Sequence, residues 1–212
     1  MDLKKRIKSI ATSVAIAFFL SSVFVIIYYF CIEKEVTSYI TLINTTAVLG
    51  KEDDGNDAKY NIETNKLIKY PHYGKKFATL KIPSIKLSLP VYHGDNLKIL
   101  RKGAGHYAGS YFPGEGWGII LAAHNTQGFF NKLDKVKKGD IVTIEANYAT
   151  FDYEIYDYKV VKETNLKAFE IQQNEERLIM YTCYPINSSV VGRKTKRFVV
   201  YAKRVGDIRW IK

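Results

Sequence analysis

Beyond Phe77 the chain alternates short apolar runs with turn residues. This spacing predicts strands over Phe77–Ile82, Leu87–Tyr92, Gly118–Ala123, Ile141–Ala146, Thr150–Val161, Leu178–Thr182 and Arg197–Lys203, with one more between Gly105 and Phe112. Asn96–Arg101 and Phe129–Val136 read as short helices. Many strands with few helical turns predict a mainly β domain, either a barrel or a sandwich. Two runs also predict burial. Ile119 to Ala123 is continuously apolar, as expected of a strand covered on both faces. Thr150–Tyr158 alternates instead, so Phe151, Tyr153 and Ile155 should point inward, with Asp152, Glu154 and Tyr156 on the other face.

The N-terminal part follows a different pattern. Ile10–Ile32 carries no charge and is dominated by apolar residues. As a helix it would measure roughly 34 Å at about 1.5 Å per residue, enough for a hydrocarbon core of about 30 Å. Tyr28 and Tyr29 near its distal end suit the membrane interface, and Lys4, Lys5, Arg6 and Lys8 before it suit the cytoplasmic side. No small-residue cleavage site follows Phe30, so the segment reads as an uncleaved single-pass anchor with its N-terminus in the cytoplasm. Nor do small residues precede Cys31, as a lipoprotein site requires. Glu33–Lys76 reads as a stalk, with Lys51–Asn65 too polar to pack tightly, and His72 as a surface boundary residue. The expected division is a basic tail at 1–9, an anchor at 10–32, an extracellular stalk at 33–76, a compact β domain at 77–206 and a short tail at 207–212.

The net charge of +11, of which the N-terminal tail supplies +3, suits anionic lipid head groups or wall polymers. No nucleic-acid motif or basic-aromatic stripe accompanies it, so no nucleic-acid partner is expected. The chain has two cysteines, and Cys31 belongs to the membrane boundary. An extracellular domain would then hold one unpaired thiol, Cys183. The plain reading of such a residue is a small buried hydrophobe, and the other is a reactive nucleophile.

Position decides what Cys183 can do. It ends one predicted strand and Arg197 opens the next, so antiparallel pairing puts both at one edge of the sheet. Arg193 is a second candidate for that positive charge. His124 follows directly after the buried apolar strand, where a structural hydrogen-bonding role and a catalytic role both fit. His93 and His106 sit beside glycines in predicted turns and read as packing residues. No His, Cys or acidic pair shows ligand spacing, so no metal or other cofactor is expected.

Several motifs occur in order: GAGHYAGS from Gly103, PGE from Pro113, LAAHN from Leu121, KGD from Lys138, TCYP from Thr182 and RFVVYA from Arg197. Together they resemble the sortase family, and TCYP most resembles its class D branch. The short Val161–Arg177 connection leaves no room for the helical insert of class B, and no Asp-Pro-aromatic lid of class C precedes the domain. The resemblance implies a closed eight-stranded β-barrel and a membrane-tethered cysteine transpeptidase, with His124, Cys183 and Arg197 in the catalytic positions. It implies as partners surface proteins bearing a C-terminal Leu-Pro-x-Thr-Gly-like sorting signal and a peptidoglycan precursor or other amine as acceptor. Asn125, Ala123, Tyr181, Thr182 and Tyr184 are the expected groove residues. Two departures touch that groove: Ile179-Met180-Tyr181 replaces the family's Thr-Leu-x before Thr-Cys, and Ala123 replaces the usual Gly before the histidine. Thr182 also suits a supporting role through its hydroxyl.

Two other classes stay open on the residues alone. A papain-like wall peptidase has its cysteine before its histidine, the reverse of this order. A non-catalytic anchored binding module requires only that Cys183 be inert. Were Cys183 and His124 independent, reference pKa values would leave about 3 per cent thiolate and about 25 per cent imidazolium at pH 7.

Overall fold

The computed structural model describes residues 10, 12–28, 58–61, 63–64, 66–186 and 194–211. The chain divides into two compact units, Met1–Thr41 and Leu42–Lys212. In the first, residues 12–28 are helical with apolar side chains such as Phe18, Phe19 and Phe24 exposed. No helix among the described residues is long and apolar enough to cross a membrane. Cys31 and residues 33–57 of the expected stalk lie outside the described residues.

Among its described residues the second unit is built on ten strands. A hairpin of β1 (Lys59–Asn61) and β2 (Lys66–Lys69) precedes β3 (Lys76–Ile82), β4 (Leu87–His93), β5 (Ala104–His106), β6 (Ile119–Ala122), β7 (Ile141–Ala146), β8 (Ala149–Lys162), β9 (Arg177–Tyr184) and β10 (Lys196–Trp210). Strands β3 to β10 close into a barrel in the order β10-β8-β7-β3-β4-β5-β6-β9. All neighbours are antiparallel except β4–β5 and β6–β9. Of the two expected helices, Leu97–Leu100 is α-helical, N-capped by Asn96, whose Oδ1 accepts from Ile99 N at 3.0 Å. The other shortens to a 3-10 turn at Leu133–Lys135.

The barrel interior holds Leu80, Leu121, Ile144, Phe151, Tyr153, Ile155, Leu178, Met180 and Val200, so β8 turns its expected face inward. Ile119 to Ala123 is buried throughout, as its apolar run requires. A second cluster lies on the opposite face of β6, β9 and β10: Ile120, Ile179, Val199 and Tyr201, with Val161 and Ala168. It is covered by the β8–β9 connection, through Phe169, Ile171 and the 3-10 turn Leu166–Phe169. Two apolar faces explain why β9 shows no alternation in sequence.

Two boundaries differ from expectation. The polar segment before Phe77 is part of the fold where it is described. Ala58 and Leu67 join the main core, and Tyr60 stacks on Tyr148 at 5.6 Å and packs at a tilt against Trp210 at 4.7 Å. Tyr60 also donates its hydroxyl to the Gly114 carbonyl at 2.7 Å. Three well-placed side chains anchor the hairpin there despite its polar composition. At the other end, β10 continues through the expected tail, pairing Arg209 with Thr150 and Trp210 with Ala149. Gly206, at φ +68°, lies where the register shifts, a backbone conformation glycine adopts without strain.

One buried carboxylate ties these pieces together. Glu176 accepts from Gly114 N at 3.2 Å, Gly116 N at 2.9 Å and Tyr153 Oη at 2.7 Å, and Arg204 Nε stands 3.8 Å away. A buried charge is tolerated when donors surround it in this way.

Candidate active site

The β6–β9 ladder pairs Leu121 with Met180 and Ala122 with Tyr181. Ala123 N then donates to the Tyr181 carbonyl at 3.3 Å, and one further step carries His124 level with Cys183. On the other side of β9, Cys183 is the direct partner of Arg197 on β10. Three neighbouring strands, each about 5 Å from the next, thus bring His124, Cys183 and Arg197 to one end of the barrel. Residue parity puts Cys183 and Arg197 on one face. Leu178, Met180 and Thr182 face the interior, so Cys183 shares the outer face with Ile179 and Tyr181. Arg197 shares that face with Val199 and Tyr201, and His124 stands just past the end of β6.

Two side chains stitch the strand ends together. Thr182 Oγ1 donates to the Ala123 carbonyl at 2.8 Å, and Asn125 Nδ2 donates to the carbonyls of Cys183 and Pro185, each at 3.2 Å. They bracket His124 and Cys183 from both sides. Phe129 packs edge-on against the His124 ring at 5.9 Å. Burial, and then the positive charge of Arg101, hold the His124 pKa below the usual imidazole range. Cys183 is half-buried and not in a disulfide.

Arg197 donates from Nη1 to the Lys194 and Lys196 carbonyls at 2.6 and 2.9 Å, and from Nη2 to Glu163 Oε2 at 2.8 Å. It also helps line a cavity of about 800 Å³ between the barrel wall and the β8–β9 connection. Asp95, Tyr107, Ile120, Glu163, Phe169 and Tyr181 are among the other lining residues. A trough of this size, with Arg197 on its wall, can hold an extended peptide.

Of the five expected groove residues, Tyr181 stands on the cavity wall. Thr182 and Ala123 do not line it: both are buried among core residues, and the Thr182 hydroxyl is committed to the Ala123 carbonyl. Tyr184 packs against the main core and stacks on Phe198 at 6.4 Å, while Asn125 spends its amide on the strand end. Arg193 lies outside the described residues. His106 is fully buried, its Nε2–H donating to the Tyr111 carbonyl at 2.8 Å, and burial pushes its pKa down to about 4. It is a neutral core residue. Sequence reasoning missed Glu163 and Arg101, both of which look like ordinary surface charges until the fold brings them to the site. Among the described residues no group of His, Cys, Asp or Glu is arranged to hold a metal.

The family profile described as Sortase domain matches residues 80–205, covering β3 in part and the rest of the barrel into β10. The chain is a sortase. It is 35% identical to sortase D of Bacillus subtilis over 73% of this chain and 77% of that protein. A Clostridium perfringens sortase D5 transpeptidase structure superposes with a TM-score of 0.56 at 25% identity, over 64% of this chain and 82% of that one. The structure of Clostridium perfringens sortase C with the C-terminal cell wall sorting motif gives 0.57 at 30% identity, over 67% and 78%. As a sortase of class D type, this protein is a cysteine transpeptidase, which answers the expectation from its motifs.

Proposed function

We propose that this sortase cleaves a Leu-Pro-x-Thr-Gly-like sorting signal through a thioacyl intermediate on Cys183 and passes the surface protein to a cell-wall amine. The reading is supported above all by the register that pairs Cys183 with Arg197, which lines the cavity, and by the β6–β9 pairing that ends two residues before His124. Cys183 Sγ attacks the scissile carbonyl carbon as a thiolate, forming the C–S bond. Arg197 N–H groups stabilise the oxygen that gains charge. His124 gives a proton to the departing amine as the C–N bond breaks, leaving a thioester. The acceptor amine then loses a proton to His124, attacks the thioester and releases the thiolate. Burial and Arg101 hold the His124 pKa below the usual imidazole range, so the imidazolium that donates this proton is a minority form near pH 7.

The charge-free Ile10–Ile32 segment, behind its basic cluster, supports a single-pass anchor with the catalytic barrel outside the cell. Full-length protein in detergent, given a labelled sorting-signal peptide and an amine, should cleave and transfer, and Cys183→Ala should do neither. Transfer retained by Cys183→Ala would remove the residue from the chemistry.

A further inference from the structure

The guanidinium of Arg197 offers five N–H donors. Among the described residues three are used, on Lys194 O, Lys196 O and Glu163 Oε2. Two remain for a ligand carbonyl. Both Arg197 and Glu163 keep about a fifth of their side-chain surface exposed and both line the cavity. Glu163 follows β8 immediately, and its own N–H donates to the Thr195 carbonyl at 2.8 Å. The Glu163 backbone is therefore anchored to the barrel ladder, where Lys162 pairs with Lys196 next to Arg197.

We propose that Glu163 is a positioning residue for Arg197, holding the guanidinium plane so that its two uncommitted N–H groups meet the carbonyl oxygen of the acyl group. The proposal rests on the reading of Arg197 as the group that meets that oxygen. Two effects oppose each other. A carboxylate at 2.8 Å offsets part of the positive charge offered to the oxygen, and it also removes the freedom of a long side chain. At a half-buried site the Coulomb loss is softened by solvent, whereas misplacement of a catalytic group by about 1 Å costs up to about a hundredfold. Positioning therefore dominates, and Glu163 raises the rate.

The test uses full-length protein in detergent with a set of fluorogenic Leu-Pro-x-Thr-Gly peptides. Glu163→Ala should lower kcat about thirtyfold while KM stays within about threefold, because a transition-state contact is lost. Glu163→Gln keeps an acceptor oxygen and should stay within about threefold of wild type. In an Arg197→Lys background, Glu163→Ala should change kcat less than about twofold, since residues acting as one unit are not additive. Unchanged or raised kcat in Glu163→Ala overturns the proposal, as does an equal factor in both backgrounds or a Glu163→Gln variant as slow as Glu163→Ala. A second readout needs no substrate. Nitrogen-15 NMR should show the Arg197 Nη groups rotating slowly in wild type and averaged in Glu163→Ala, and identical rotation in both overturns the proposal. A wild type that turns over none of the peptides defeats the sorting-signal reading of the proposed function, and the rotation measurement then decides Glu163 by itself.

Discussion

Replacing Thr182 by valine keeps the branched shape of the side chain and removes one oxygen. That oxygen donates to the Ala123 carbonyl at 2.8 Å, with Thr182 1% and Ala123 6% exposed. Leaving a buried carbonyl without this partner costs about 1–3 kcal/mol, and the buried position favours the middle of that range, about 2 kcal/mol. For a chain of this size such a loss lowers Tm by about 4–8 °C. The effect on catalysis should be larger than on stability, because Ala123 precedes His124 and Thr182 precedes Cys183. One hydroxyl therefore sets the spacing of both reacting groups. A shift of a few tenths of an ångström between them should lower kcat about tenfold. Thermal melting and peptide cleavage, the latter at least 15 °C below the variant's Tm as roughly set by that shift, separate the two effects. Thr182→Ser keeps the donor and should remain near wild type in both. The reasoning fails if Thr182→Val melts and turns over like wild type, or if the serine variant is equally impaired.

Two other outcomes follow from contacts away from the reacting atoms. Tyr60→Ala removes the stack on Tyr148, the packing against Trp210 and the bond to Gly114, and should cost about 2–3 kcal/mol in a melting experiment. An unchanged Tm would show that the β1–β2 hairpin is not part of the barrel's stability. Arg101→Gln removes a like charge from His124, which favours the imidazolium and raises its pKa. The acid limb of the kcat/KM profile should therefore move to higher pH. If thiolate–imidazolium is the reactive form, the plateau should rise as well, and a plateau that stays level while the limb moves points to a neutral His124 acting as base.

Much of the barrel was legible because most of its strands are apolar runs of ordinary length, and β8 announces its inner face by alternation. The chain positions of the three candidate residues were legible because apolar runs mark where strands stop and start: Cys183 lies one residue before the end of β9, Arg197 at the start of β10, and His124 just past β6. Orientation within β9 was not legible. Both of its faces are apolar, one against the barrel interior and one under the β8–β9 connection, so nothing in the residue pattern says that Thr182 turns inward and Tyr181 outward. The hairpin was hidden for the opposite reason. Its composition is polar, and its attachment depends on Ala58, Tyr60 and Leu67 meeting residues far along the chain. Glu163, Glu176 and Arg101 belong to the same class, charges whose meaning lies in a partner that only the closed barrel supplies.

The central claim is that Cys183 carries the acyl group between donor and acceptor. Full-length enzyme mixed with a sorting-signal peptide and no amine should gain the mass of the N-terminal peptide fragment, mapped to Cys183 and released quickly by an added amine but slowly by water. An adduct on another residue, or peptide cleavage with no adduct and no response to amine, would contradict the account.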